Sequence, residues 1–175
     1  MLMYGLAYPY TSFEKNVYTF TGADISGTWT STPITVGGTA ITWKPAPGRC
    51  NTFVVGSTRY VYAGAQYNVA DHPTILTKDG GVTWDSTSYT IPDGWEKLPS
   101  STSKYTDGLC GFSYDAGVSK VMAVTPLQMA GTTTQQMWLY TSDDGLAFSP
   151  LAPFGPTGSN AYNPQMATGS FCGEF

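Results

Sequence analysis

The sequence predicts an all-β, propeller-like chain with about three four-stranded antiparallel blades that do not close into a ring within one chain. Two features of the composition support this. Thr, Tyr and Val, which fit pleated strands, are abundant, and only 11% of the 175 residues are charged. The 20 Gly and 12 Pro favour turns, whereas strong helix formers such as Glu, Lys and Arg are scarce.

The third supporting feature is a short motif, Thr-x-Asp-x-Gly-x-x-aromatic, that occurs twice. A motif that returns along a chain predicts a repeat architecture. A degraded third copy, with its glycine displaced by one position, spans residues 24–29. The key positions of the two full copies are Thr77, Asp79, Gly81, Trp84, Thr141, Asp143, Gly145 and Phe148.

Strand-like runs and turn signals divide the chain into repeated units. In order, strands are predicted at 1–7, 16–20, 27–32, 37–43, 52–56, 59–65, 74–77, 82–88, 109–114, 118–125, 136–140 and 146–151. Residues 44–48 are predicted to form a linker or surface loop, and residues 92–106 the long connection before the last full unit. The resulting units are about 1–34, 50–92 and 108–153, with a partial unit at 160–175. Four antiparallel strands in about 40 to 50 residues are typical of a propeller blade.

The two motif segments, 77–84 and 141–148, resemble the Asp-box (BNR-type) repeat of sialidase-like β-propellers, Ser/Thr-x-Asp-x-Gly-x-x-Trp/Phe. The resemblance implies a propeller fold, with these turns far from the end that carries the active site of such proteins. In physical terms, each motif Asp is expected to accept backbone N–H bonds within its own loop. Each motif Gly permits a positive φ, and each motif aromatic packs between sheets.

An enzymatic site is not expected. Sialidases of this resemblance use three arginines, a Tyr–Glu pair and an Asp, but this chain holds only Arg49 and Arg59. Acidic residues occur in the predicted loops without any pattern that marks a catalytic pair. No Gly-x-Ser-x-Gly, phosphate-binding loop or Cys–His arrangement is present in the sequence.

Metal, cofactor, nucleic-acid and membrane sites are not expected either. Cys50, Cys110 and Cys172 are too widely spaced for a zinc site, although one disulfide pair remains open. A net charge of −4 disfavours nucleic-acid binding. No apolar run approaches the roughly 18 residues of a membrane-spanning helix.

Four aromatic residues in or beside predicted loops are candidate contacts for a ligand or a protein partner: Trp95, Trp43, Tyr67 and Tyr105. Exposed aromatic rings stack on sugars or anchor protein interfaces. The alternative is that these rings fill apolar gaps between blades. Trp95 is the first to test, because it lies in the least regular region.

About three blades do not close a propeller, which typically has about four to eight. The chain is therefore expected to be part of a longer protein, or to assemble with other copies or other subunits. Low charge and Thr/Ser/Tyr richness are typical of viral structural proteins and secreted proteins. We predict a non-enzymatic structural or attachment component of a larger assembly, specifically a bacteriophage virion or tail protein, located in the virion or outside the cell. The alternative is a secreted carbohydrate-binding or degenerate sialidase-like propeller, with a glycan as partner.

Overall fold

The computed structural model describes residues 16–21, 28–43, 45–65, 73–98 and 108–159. Within these ranges the structure contains β-strands and no helix, so the predicted all-β class is confirmed. One of the sheets curls into a half-barrel. Residues 1–7 and 160–175 and the degraded motif copy from Asp24 lie wholly or largely outside the described residues.

The strands form two hairpins and two larger sheets. The strands are β1 (Asn16–Thr21), β2 (Thr28–Pro33), β3 (Thr35–Val36), β4 (Thr39–Ala40), β5 (Pro45–Val55), β6 (Thr58–Ala65), β7 (Ile75–Thr77), β8 (Asp85–Ser86), β9 (Ser88–Tyr89), β10 (Trp95–Lys97), β11 (Cys110–Asp115), β12 (Lys120–Met129), β13 (Thr134–Ser142) and β14 (Ala147–Ser159). β1 pairs with β2, and β3 with β4; β5-β6-β7-β8 make a four-stranded sheet. The six-stranded sheet has the order β10-β12-β13-β14-β9, and β11 also pairs with β12.

Strand β5 begins earlier than the sequence predicts. Residues 45–48 were expected to belong to a linker, yet Pro45 pairs with Ala65 at the start of the β5–β6 ladder. The register shifts between Pro45 and Cys50 before regular pairing continues to the turn at Gly56, where φ is 61°. Proline is tolerated here because β5 is an edge strand of its sheet.

The segment that crosses the predicted unit boundary at Pro92 belongs to the six-stranded sheet. β9 pairs in parallel with β14 at one edge, and β10 pairs antiparallel with β12 towards the other edge. The residues between β9 and β10 cross the face of the sheet, where the Tyr140 hydroxyl donates to the Thr90 carbonyl at 3.0 Å. The chain therefore passes directly from β8 of the four-stranded sheet into β9 and β10 of the six-stranded sheet.

The core has two layers, one on each face of the four-stranded sheet. Val61 and Tyr62 are adjacent on β6 and point to opposite faces, as alternate residues of a strand do. On the Val61 face, Ile34, Ile41 and Trp43 from the β3–β4 region pack against the sheet. On the Tyr62 face lie Leu109, which precedes β11, and these buried side chains of the six-stranded sheet: Phe112, Val121, Ala123, Leu127, Tyr140 and Phe148.

Aromatic rings form the contact between the two larger sheets. Tyr62 is fully buried and stacks on Phe112, with ring centroids 3.8 Å apart and planes 6° from parallel. Phe112 in turn meets the edge of Phe148 at 5.7 Å. Such pairs add about 0.5–1.5 kcal/mol each beyond the area they bury. This contact brings the two motif loops to the same region of the molecule.

Candidate functional site

The first motif loop, residues 77–84, joins β7 to β8 and is organised around the Asp79 carboxylate. Asp79 Oδ1 accepts the backbone N–H groups of Val82 and Thr83, each at 3.0 Å. Its Oδ2 accepts the Thr83 hydroxyl at 2.5 Å. Thr77 Oγ1 donates to Asp79 Oδ1 at 2.8 Å and accepts the Gly81 N–H at 2.9 Å. The carboxylate is therefore bonded to its own loop.

The end of this loop is fixed by Gly81 and Trp84. Gly81 has a φ of 90°, a conformation that side chains on L residues disfavour. Its carbonyl accepts the Trp84 ring N–H at 3.2 Å. The indole is buried against the β3–β4 region, so one side chain links the loop to the core layer on the Val61 face of the four-stranded sheet.

The second motif loop, residues 141–148, joins β13 to β14 and has the same kind of bonding around Asp144. Asp144 Oδ1 accepts the N–H groups of Leu146 at 2.7 Å and Ala147 at 3.0 Å. Ser142 Oγ donates to Asp144 Oδ1 at 2.8 Å and accepts the Gly145 N–H at 2.9 Å. Phe148, the last residue of the loop, is buried between the sheets.

These bonds correct the roles that the sequence assigned to Thr141 and Asp143. Thr141 instead pairs with Ser149 in the β13–β14 ladder. The Asp143 side chain is 83% exposed and forms a salt bridge with Lys120. The reason is the spacing between the Asp and the motif Gly: Gly80 separates Asp79 from Gly81, whereas Gly145 follows Asp144 directly. The Asp that holds the second loop therefore lies one position later than the motif of the first loop predicts. Ser142-x-Asp144 is also a hydroxyl-x-Asp pattern, and that signal would have identified the correct pair.

The two loops contact each other across the sheet interface. Lys78 Nζ donates to the Asp144 carbonyl at 2.6 Å and lies 4.9 Å from the centroid of the Tyr60 ring. The buried Tyr62 hydroxyl donates to the Gly145 carbonyl at 2.8 Å. Gly145 has a φ of 77°, and a Cβ at this position would collide with the Tyr62 hydroxyl. We call residues 77–84 and 141–148, joined in this way, the paired loops.

Hydrogen bonding keeps both loop carboxylates in the charged form. Burial alone would raise the pKa of Asp79, but the bonds from Thr83, Thr77 and Val82 outweigh it and hold the pKa below its ordinary value. Burial likewise opposes, and does not overcome, the lowering of the Asp144 pKa by bonds from its loop and by the charge of Lys78. A general acid that works near neutral pH needs a raised pKa, whereas the pKa of each of these carboxyls is lowered. The charged carboxylates are instead suited to accepting the hydrogen bonds that hold their loops.

The aromatic candidates have different environments. Trp43 is only 7% exposed and belongs to the core layer on the Val61 face. This burial favours the alternative that its ring fills an apolar gap in the interior. Trp95 is half-buried on β10, and its ring meets Trp138 edge to face at 5.3 Å. Tyr67 and Tyr105 lie outside the described residues.

Trp138 is a further candidate for ligand contact, beside Trp95, that the sequence analysis did not identify. It lies within β13, so nothing in the sequence distinguishes it from a core residue of a strand. Its ring N–H is buried and has no hydrogen-bond partner among the described residues. The Trp95–Trp138 pair is therefore the aromatic candidate that the structure brings together.

No protein-family model, curated protein or solved structure matches this chain. The resemblance to Asp-box propellers depends on the motif residues alone. In the described part of the chain, no group of three His, Cys, Asp or Glu side chains is placed to hold a metal ion. The described residues also contain no helix with the length and apolar character needed to cross a membrane.

The assignment of Asp144 predicts a difference between adjacent aspartates. Asp144→Ala removes the acceptor of three loop hydrogen bonds, so we expect it to lower the free energy of unfolding by about 1–3 kcal/mol. Asp143→Ala removes only an exposed ion pair and should cost at most about 1 kcal/mol. Urea denaturation followed by tryptophan fluorescence measures both. A larger loss for Asp143→Ala would contradict the assignment.

The lowered pKa values predict acid sensitivity. A carboxyl whose folded pKa lies below its unfolded value of about 3.9 stabilises the fold fully above that value and loses this effect as pH falls through the folded pKa. We therefore expect the wild type to lose stability below about pH 4, and the Asp79→Asn/Asp144→Asn variant to lose less over the same range.

The measurement is the free energy of unfolding at pH 7 and at pH 3 for both proteins. Asp93→Asn, at an exposed turn between β9 and β10, is the matched control and should keep the wild-type acid loss. Equal acid loss in the wild type and the double variant would show that the loop carboxylates are not responsible.

Proposed function

We propose that this protein is a non-enzymatic structural or attachment component of a larger protein assembly. The observation that carries the proposal is strand β14, which has 13 residues and none that is charged. Residues 151–157 are all exposed, including Leu151 at 58% and Phe154 at 44%. Exposed apolar side chains clustered on one element are typical of surfaces that contact another protein.

The interior supports the same proposal. The β3–β4 region, the four-stranded sheet and the six-stranded sheet stack in layers, which is the arrangement that neighbouring propeller blades would have. The acidic motifs, which are the most regular feature of the sequence, use their carboxylates to bond their own loops. The conspicuous acidic groups therefore have a structural role that does not require catalysis.

The assembly that we propose is a bacteriophage virion or tail, with the protein located in the virion or outside the cell. The support is compositional: charged residues are only 11% of the chain, and Thr, Ser and Tyr are abundant. The partners are further copies of this chain or other protein subunits, which would also cover strand edges and faces that an incomplete ring leaves open.

We expect the purified wild-type protein to form oligomers whose mass rises with concentration, because β14 presents an apolar surface. Leu151→Ser/Phe154→Ser should shift the protein towards monomer at the same concentration. Light scattering after size-exclusion chromatography measures the mass. Val82→Ser/Val118→Ser, at two exposed apolar positions elsewhere, is the control and should leave the mass unchanged. A strictly monomeric wild type, or robust glycosidase turnover by it, would contradict the proposal.

A second candidate function is glycan binding at the Trp95–Trp138 pair. The observation that favours it is a half-buried pair of indole rings with one ring N–H left without a partner among the described residues. Aromatic rings of this kind stack on sugars.

A glycan array separates the two functions. The glycan-binding candidate predicts saturable binding that is lost on Trp95→Ala with the fold intact by circular dichroism. Phe154→Ser should retain that binding, because Phe154 belongs to the proposed protein-contact strand. Absence of binding by the wild type would eliminate the second candidate and leave the first unaffected.

A further inference from the structure

We propose that Pro150 and Pro153, together with the irregular stretch around Pro156, close the outer edge of β14 to the addition of another strand. The inference goes beyond the proposed function and does not depend on it. It concerns which kind of contact the surface permits, whatever assembly the protein belongs to.

The outer edge of β14 is largely unpaired among the described residues. On its inner side β14 pairs with β13 from Thr141↔Ser149 to Thr134↔Ser159. On its outer side, β9 pairs only with Ala147 and Phe148. An edge strand with free N–H and C=O groups is a template on which another strand can add.

The hydrogen bonds of β9 show which backbone groups of β14 face this edge. The Ser88 N–H donates to the Leu146 carbonyl at 2.8 Å, and the Thr90 N–H donates to the Phe148 carbonyl at 3.2 Å. Backbone groups of alternate residues point to the same side of a strand. The next residue whose backbone faces the edge is therefore Pro150, which has no N–H to donate.

Two irregularities continue the interruption along the strand. The register shifts between Tyr140 and Leu139, so that Leu151 is an extra residue and Pro153 lies opposite Trp138. A second shift lies between Met137 and Gln135, opposite the stretch that contains Pro156.

The second irregularity is held in place by Gly155. Its φ is 73°, and its carbonyl accepts Gln136 Nε2 at 3.0 Å. Such irregularities twist a strand and further disfavour pairing. Pro150 is the last paired residue before the first shift, Pro153 pairs within the short stretch between the two shifts, and Pro156 lies within the second shift.

The prolines are needed because β14 lacks the other common protection. Edge strands are often guarded by lysine or another charged residue, and β14 has none. Its exposed Leu151 and Phe154 would otherwise make an uncharged, apolar edge of the kind that pairs between copies. Proline is confined to such edges in sheets because it cannot donate within a ladder.

Restoring the missing donors tests the proposal. In Pro150→Thr/Pro153→Thr, a residue that favours strands returns an N–H at both positions. We expect this variant to form growing, open-ended aggregates, so that its mass rises over time at a concentration where the wild-type mass does not change with time. The readouts are light scattering, a severalfold rise in thioflavin T fluorescence and an intermolecular amide I band in the infrared spectrum.

Pro150→Lys/Pro153→Lys is the matched control. It restores the same N–H groups and loses the same ring constraints, but its charges oppose edge-to-edge pairing, so neither its mass nor its thioflavin T fluorescence should rise over time. The proposal is overturned if the threonine variant keeps the wild-type mass and fluorescence. It is also overturned if the lysine variant aggregates equally fast, because the prolines would then act through the local fold. Failure of the proposed assembly function would be seen separately, in the wild-type mass.

Discussion

The arrangement of the two larger sheets depends on a buried contact between Tyr62 and the second motif loop. The Tyr62 ring stacks on Phe112 of the six-stranded sheet, and its hydroxyl donates to the Gly145 carbonyl. Burial raises the pKa of this hydroxyl above its ordinary value, so it remains a donor even in alkaline solution. One side chain therefore supplies apolar packing and a hydrogen bond to the backbone carbonyl of a buried residue.

The backbone of the loop that receives this contact is itself held by Asp144. Leu146 and Ala147 direct their N–H groups to the carboxylate, which leaves the Gly145 carbonyl facing Tyr62 and the Asp144 carbonyl facing Lys78. The first loop, held by Asp79, positions Lys78 in the same way from the other sheet. Local carboxylate bonding and contact between sheets are therefore parts of one structural unit.

The sequence predicted the parts of this unit that depend on local chemistry. The hydroxyl, Asp, Gly and aromatic positions of the first loop follow from its spacing. In the second loop the predicted hydroxyl and Asp positions are one residue early, because its Asp–Gly spacing is shorter and two aspartates are adjacent. β9 and β10 have only two and three residues, and pairing with distant strands determines them, so no local pattern could identify them. Trp138 was missed for the same reason: its contact with Trp95 exists only once the sheet forms.

The central claim is that Tyr62 links the two sheets by holding the second loop, and amide hydrogen exchange tests it most directly. In the wild type, the N–H groups of Val82, Thr83, Leu146 and Ala147 should be protected, because the loop carboxylates accept them. Tyr62→Phe keeps the ring and removes the hydroxyl. The account predicts faster exchange at Leu146 and Ala147, with protection at Val82 and Thr83 retained. Unchanged exchange in the second loop of this variant would contradict it.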